Sequence, residues 1–276
     1  MGVNPRSDVA RRLIGNSIKV DAVIKLKIGD KEIEIRDDPP TSSFYSALFA
    51  ELFASTPTAV LKSLGGIRIV DSSYQDACTA SGSSVTISRS NNQITVSGTC
   101  TYNSNNAPSK VQILTSDLSS YYFEASVPSG TNVQNGLPVS VSWTATITVT
   151  QDLATGYLSG ASFTDLYLAN SIAMVLAGSR GSAILTLQYV EMIGTSGTQT
   201  NVSILPKTQL TRDQVNQRAY ISPTKVATSG QIQSVVIYAY YNSQYIALLK
   251  WTLNPALTVG SNDYVSLDVA FSGTTV

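Results

Sequence analysis

A repeat at a fixed spacing of 124 residues constrains this chain more than any other feature: Tyr245 follows Tyr121, and Gly260 follows Gly136, by that same interval. Residues 235–250, VVIYAYYNSQYIALLK, place two β-branched and aromatic runs around the turn-prone Asn242, Ser243 and Gln244, the pattern of a β-hairpin. Residues 111–125, VQILTSDLSSYYFEA, are its earlier copy, and the segment 141–147 aligns with 265–271 without a gap. Such a chain folds as a duplicated β-unit.

The strand over residues 139–149 alternates strictly, with Val139, Val141, Trp143, Ala145, Ile147 and Val149 on one face and only Ser and Thr between them. Because the repeat interval is even, Val265, Leu267, Val269 and Phe271 keep the same parity, whereas a one-residue slip would turn the apolar set outward. This marks Val141, Trp143, Ile147, Val265, Leu267 and Phe271 as core strand residues. The copies differ at one strand. Its outward positions are Gln112, Leu114 and Ser116 in the first copy but Val236, Tyr238 and Tyr240 in the second, so both faces of the second are apolar or aromatic. A surface of that kind needs a cover, and Val236, Tyr238 and Tyr240 are candidates for an assembly surface.

Taken in order, residues 1–40 read as a charged arm: a short helix from Ser7 through Ile14 closed by Gly15, then a hairpin of residues 20–28 and 31–36 turning at Gly29 and Asp30. In that hairpin Lys25, Lys27, Glu32 and Glu34 share one face, and Ile24, Leu26, Ile28, Ile33 and Ile35 the other. Asp37, Asp38, Pro39 and Pro40 form a stiff linker. The first copy, 41–152, opens with a helix capped by Ser42 or Ser43, and a second short helix fits residues 58–64. The second copy, 161–276, opens with a helix capped by Thr164 or Asp165 and closed by Gly178. Short strands follow each helix, including one at 183–190. The expected fold is mainly β: two tandem antiparallel β-sandwich repeats, jelly-roll-like or immunoglobulin-like, each preceded by a helix, plus the N-terminal helix-hairpin arm.

Charge is balanced at 18 residues of each sign, yet residues 41–276 carry only ten Lys or Arg and eleven Asp or Glu, well below the roughly 25% usual for soluble domains. The surface is therefore made of Ser, Thr, Asn, Gln and Tyr, which suits an extracellular setting or dense lateral packing. No basic patch points to nucleic acid. No apolar run is long enough for a membrane helix, and MGVNPRSDVARR has neither the apolar core of a secretion signal nor Ser or Thr where a myristoylation motif wants one; Arg6 stands there.

The chain has no histidine, which excludes His-based triads and zinc-His sites. Neither a P-loop nor a dinucleotide fingerprint is present, no cofactor or metal is implied, and the protein reads as a non-enzyme. Asp71 and Asp76 in DSSYQD are a loop pair, solvated or weakly calcium-binding. Cys78 and Cys100 bracket a hairpin; they form a disulfide or remain two buried thiols. Tyrosines cluster at Tyr121 and Tyr122 and at Tyr238, Tyr240, Tyr241 and Tyr245, either as sugar-stacking platforms or as strand residues with polar tips. Asn201 is the one N-glycosylation sequon.

Duplicated sandwiches rich in Ser, Thr, Asn and Tyr, lacking His and carrying a charged N-terminal arm, resemble the virion structural proteins of archaeal viruses and bacteriophages in form over residues 41–276. The resemblance implies a product of the host cytoplasm that assembles into a particle as a homo-oligomer with other virion proteins, its arm docked on the shell. At roughly 115 residues per copy it implies a minor capsid, turret or tail component, in contact with a host-surface glycan in some versions of that role. The alternative is an extracellular adhesin or carbohydrate-binding sandwich. A tendency to self-associate through the Tyr238 surface separates the two.

Overall fold

A computed structural model of the chain describes residues 13–36, 40–179 and 185–273. It is mainly β, with two α-helices and several antiparallel sheets. In chain order the elements are β1 (Leu13–Ile28), β2 (Lys31–Ile35), α1 (Ser42–Leu52), β3 (Leu64–Asp71), β4 (Asp76–Ser81), β5 (Val85–Ser90), β6 (Gln93–Thr101), β7 (Pro108–Thr115), β8 (Tyr121–Ser126) and β9 (Pro138–Ala154). They continue with β10 (Ser162–Asp165), α2 (Leu168–Leu176), β11 (Tyr189–Ser196), β12 (Gln199–Gln209), β13 (Thr211–Asp213), β14 (Arg218–Lys225), β15 (Gly230–Tyr241), β16 (Gln244–Val259) and β17 (Tyr264–Gly273).

Three sheets carry these strands. A four-stranded sheet has the order β4-β3-β7-β8, and a five-stranded sheet the order β10-β16-β15-β11-β12. The third, eight-stranded, runs β13-β14-β17-β1-β9-β6-β5, with β2 also paired to β1. After α1 the first, second, fifth and sixth strands enter the four-stranded sheet, and the third, fourth and seventh enter the large one. After α2 the strands β11 to β17 divide between the five-stranded sheet and the large one by the same rule. Val141, Trp143 and Ile147 of β9 and Val265, Leu267 and Phe271 of β17 are all buried.

The strand β1 joins the two sets. It pairs antiparallel with β9 from Ile14 to Ile28 on one side; on the other it pairs parallel with β17, from Leu13 opposite Asp268 to Ile18 opposite Gly273. Beyond that point β2 takes over the second side, from Ile24 opposite Ile35 to Ile28 opposite Lys31. The hairpin expected in the N-terminal arm is therefore present, but its first strand is an interior strand of the largest sheet. The physical reason is pairing on both sides, with β9 along Ile14–Ile28 and with β17 and then β2 opposite, while Ile14, Ile18, Val20, Ala22, Ile24, Leu26 and Ile28 bury one face in the core. The expected helix of residues 7–14 lies mostly outside the described residues, and where it is described, at Leu13 and Ile14, the chain is strand. Residues 37–39 of the expected linker also lie outside them.

Other local expectations give way to specific bonds. No helix forms over residues 58–64. The buried Glu51 carboxylate accepts from the Val60 and Leu61 amides at 3.0 and 2.8 Å, holding that segment extended after Pro57. The cap of α1 is Thr41, whose Oγ1 accepts from Phe44 N at 3.3 Å. For α2, Asp165 caps from three residues ahead, with its two carboxylate oxygens accepting from Leu168 N at 2.8 Å and Ala169 N at 3.1 Å. Burial raises the Asp165 pKa in spite of those bonds. Gly178, at φ +76, closes α2. Of the strand expected at 183–190, residues 183–184 lie outside the described residues, 185–188 are not strand, and β11 begins at Tyr189.

The helices cross between the two strand sets. From α1, Phe44 packs on Phe123 of β8 at 5.2 Å, while Phe53, just past its end, reaches Phe271 of β17 at 5.9 Å and the Tyr45 hydroxyl donates to Ile18 O of β1 at 3.2 Å. In turn α2 lies against β9 and β6, and Arg89 of β5 donates to Asn170 of α2. Trp251 of β16 donates through Nε1 to Gln151 of β9 at 2.8 Å. One continuous core results, in which the rings of Trp143 and Phe123 lie 4.6 Å apart.

Cys78 of β4 and Cys100 of β6 are joined by a disulfide with 5.7 Å between their Cα atoms, linking the four-stranded sheet to the large one. Their 22-residue separation gives an expected stabilisation of about 3 kcal/mol in the chain-entropy picture. Replacing both cysteines by Ser is expected to lower unfolding stability in urea by about that amount. Unfolding with reductant present should lower the wild type alone, and equal curves with and without reductant would show the bond to be immaterial.

Candidate interaction site

The outer face of the five-stranded sheet gathers four tyrosines from three strands: Tyr189 of β11, Tyr238 and Tyr240 of β15, and Tyr245 of β16. Ring centroids are 4.7 Å apart for Tyr240 and Tyr245, 5.2 Å for Tyr189 and Tyr245, 6.0 Å for Tyr189 and Tyr240, and 6.1 Å for Tyr238 and Tyr245. Most of these pairs are edge-on, the arrangement the ring quadrupole favours, at about 0.5–1.5 kcal/mol per pair beyond burial. Local sequence sets this up. At the end of β15 the even positions Tyr238 and Tyr240 face outward, the odd positions Val235, Ile237 and Ala239 are fully buried, and Asn242 and Ser243, at φ +46 and +63, make the tight turn that brings Tyr245 opposite Tyr240.

A polar pair lies beneath the rings. Lys207 of β12 places its ammonium 5.0 Å from the Tyr238 ring centre, 5.1 Å from that of Tyr245 and 2.8 Å from Glu191 Oε2. Glu191 also accepts from the Tyr238 hydroxyl at 3.0 Å and from Ser203 Oγ at 2.9 Å. Burial pushes the Glu191 pKa up, but the bonds from Lys207, Ser203 and Tyr238 outweigh it and hold the carboxyl below its ordinary range. Burial, and then the bond to this carboxylate, raises the Tyr238 phenol well above its usual value. At neutral pH the patch therefore holds a carboxylate with every near donor turned toward it. It offers ring surface with fixed polar edges, an arrangement suited to binding.

Of the proposed assembly residues, Val236 is buried, Tyr238 is half-buried, and Tyr240 is 36% exposed beside Tyr245 at 44%. Cover for Tyr238 comes from within the sheet, from Lys207 and Tyr245. Tyr189, Glu191 and Lys207 join the site only through strand register, Tyr189 facing Tyr238 and Glu191 facing Val236 across β11 and β15. Tyr122 is elsewhere: buried against Phe44 at 5.7 Å, its hydroxyl accepting from Lys62 N. Tyr121 and Tyr241 are half-buried outside the ring cluster, and Asn201 is exposed at φ +56 near the start of β12.

The loop acids do not come together as a cation site. Asp71 is buried and accepts from Ser73 N, Gln75 N, Ser104 Oγ and Asn106 Nδ2, donors that occupy the oxygens a cation would need. Those bonds, Ser104 first, pull its pKa down to about 2. Asp76 accepts from Thr79 instead. Among the described residues no group of three or more Cys, Asp or Glu side chains is placed to hold a metal. No protein-family model matches the chain, and no curated protein or solved structure is significantly similar to it.

Proposed function

We propose that this is a non-enzymatic virion structural protein, a minor capsid, turret or tail component of two duplicated β-sandwich units, which self-associates through the tyrosine patch. The observation that carries the reading is the pair Tyr240 and Tyr245, whose rings lie 4.7 Å apart, tilted to one another, and are each more than a third exposed. Tyrosine supplies large contact area at low conformational cost, and a surface with few charges lets copies pack closely without repulsion. Light scattering on the full chain is expected to give a discrete oligomer, and Tyr240→Ser with Tyr245→Ser a monomer of unchanged fold. Tyr238 is left intact in that test because it helps hold Glu191. A native mass unaffected by the double change would count heavily against the patch as an interface.

A second reading is favoured by Glu191 and Lys207 lying under the same rings, since a carbohydrate module pairs ring faces with polar groups of that kind. A monomeric chain that binds a neutral glycan, and loses it on Tyr245→Ser, would establish that adhesin-like role instead.

A further inference from the structure

The hydroxyl face of the large sheet forms a trough, and we propose that it binds a linear acidic oligosaccharide. A concavity of about 400 Å³ crosses β5, β6, β9, β1 and β2 on the face opposite the core. Five neighbouring strands at about 4.8 Å spacing make it about 19 Å wide, the span of an extended ligand lying across the strands. The Tyr patch is on a different sheet, so the site stands apart from the self-association reading.

The chemistry of the lining is specific. Ser97 Oγ donates to Ser142 Oγ at 3.1 Å, and Thr99 and Ser140 share a hydrogen bond of 2.9 Å, as do Thr95 and Thr144 beyond them at 3.1 Å. These cross-strand bonds hold the hydroxyl oxygens in a row while leaving lone pairs for a ligand's own hydroxyls. No aromatic ring lines the trough, where Ser and Thr hydroxyls and the two lysines are set among aliphatic surface. At one end stand Lys25 and Lys27, two positions apart on β1 and opposite Ser142 and Ser140. Glu32 engages Lys25 at 3.4 Å rather than Lys27, its direct cross-strand neighbour, and Glu34 engages Arg36. Lys27 thus has no ion-pair partner among the described residues and faces a row of hydroxyls. An anionic group on a polyhydroxylated chain satisfies both features at once; an acidic peptide would bring charge but few hydroxyls.

The test is calorimetric titration of the full chain with a galacturonate tetramer, with a neutral glucose tetramer, sodium sulfate and an oligoglutamate as comparisons. The galacturonate tetramer is expected to bind most tightly, with an affinity that falls as salt rises. Lys27→Gln is expected to weaken it about tenfold, the scale of one charge-assisted hydrogen bond, and Lys27→Arg to retain it. Ser142→Val, which removes a hydroxyl and leaves the strand, should weaken it as well. The proposal is overturned if no galacturonate binding is seen, or if sulfate or the neutral tetramer binds equally well. It is also overturned if oligoglutamate binds better, which would make the partner an acidic peptide, or if Lys27→Gln binds as the wild type does. Circular dichroism of each variant confirms that a loss of binding is not a loss of fold.

Discussion

A chain beginning at Pro40 is expected to fail to reach the native fold, although sequence composition alone marks residues 1–40 as a distinct charged arm. Removing β1 strips seven buried aliphatic side chains from the core, from Ile14 to Ile28. At about 1.5–3 kcal/mol for each of the six larger ones, the loss is about 9–18 kcal/mol, comparable with the whole stability of an ordinary domain. It also leaves β9 and β17 with unpaired edges facing each other, an invitation to aggregate. Near-UV circular dichroism and sedimentation of residues 40–276 should therefore show aggregated or molten material. A milder version, Leu26→Asp in the full chain, places an unpaired carboxylate at a fully buried site and should lower stability severely by the same measurements. A soluble 40–276 chain with native near-UV signal would show that β1 is an accessory after all. Any oligomer measurement on this protein accordingly belongs on the full chain.

What could be read from the sequence was local, and what could not be read was pairing. The alternation of β9 and the Asn242-Ser243 turn are written in neighbouring residues, so mainly-β structure and the hairpin of β15 and β16 were legible. The strand β4, DACTAS, was not, because only Thr79 among its residues favours strands; its place comes from pairing with β3 and from Cys78 reaching Cys100. The strand β1 was visible as a strand only from Val20 on, and not as a central one, since its first residues read as a helix closed by Gly15 and an alternating pattern reads the same at an edge as beside two partners. Its parallel neighbour β17 lies some 255 positions away, at Leu13 opposite Asp268. The candidate site divides the same way. Parity alone sends Tyr238 and Tyr240 outward, whereas Tyr189, Glu191 and Lys207 arrive through the register of β11 and β12, which no local signal specifies.

The second large effect concerns the strands that follow α1 and those that follow α2, whose matching order of sheet assignment would lead one to treat them as separable. The helix α2 packs on β9 and β6 of the first set, Phe53 just past α1 meets Phe271 of the second, and β1 binds β9 and β17 together. The buried Thr186 hydroxyl donates to Glu51 O at 3.0 Å and Leu187 N to Leu52 O at 3.0 Å, so even the connection into β11 is fastened to α1. A protease site placed in the exposed turn at Ser159 and Gly160 should therefore be cut without release of the pieces. Under native conditions they are expected to elute together on gel filtration and to part only in denaturant. Expressed alone, residues 41–152 and 161–276 should each lack native near-UV signal, because each exposes the core surface the other covers and lacks β1 between them. Two folded monomers released by the cut would overturn this and restore the picture of autonomous units. Association of the cut pieces would instead mean that the two strand sets form a single folding unit, in which the N-terminal strand is the shared element.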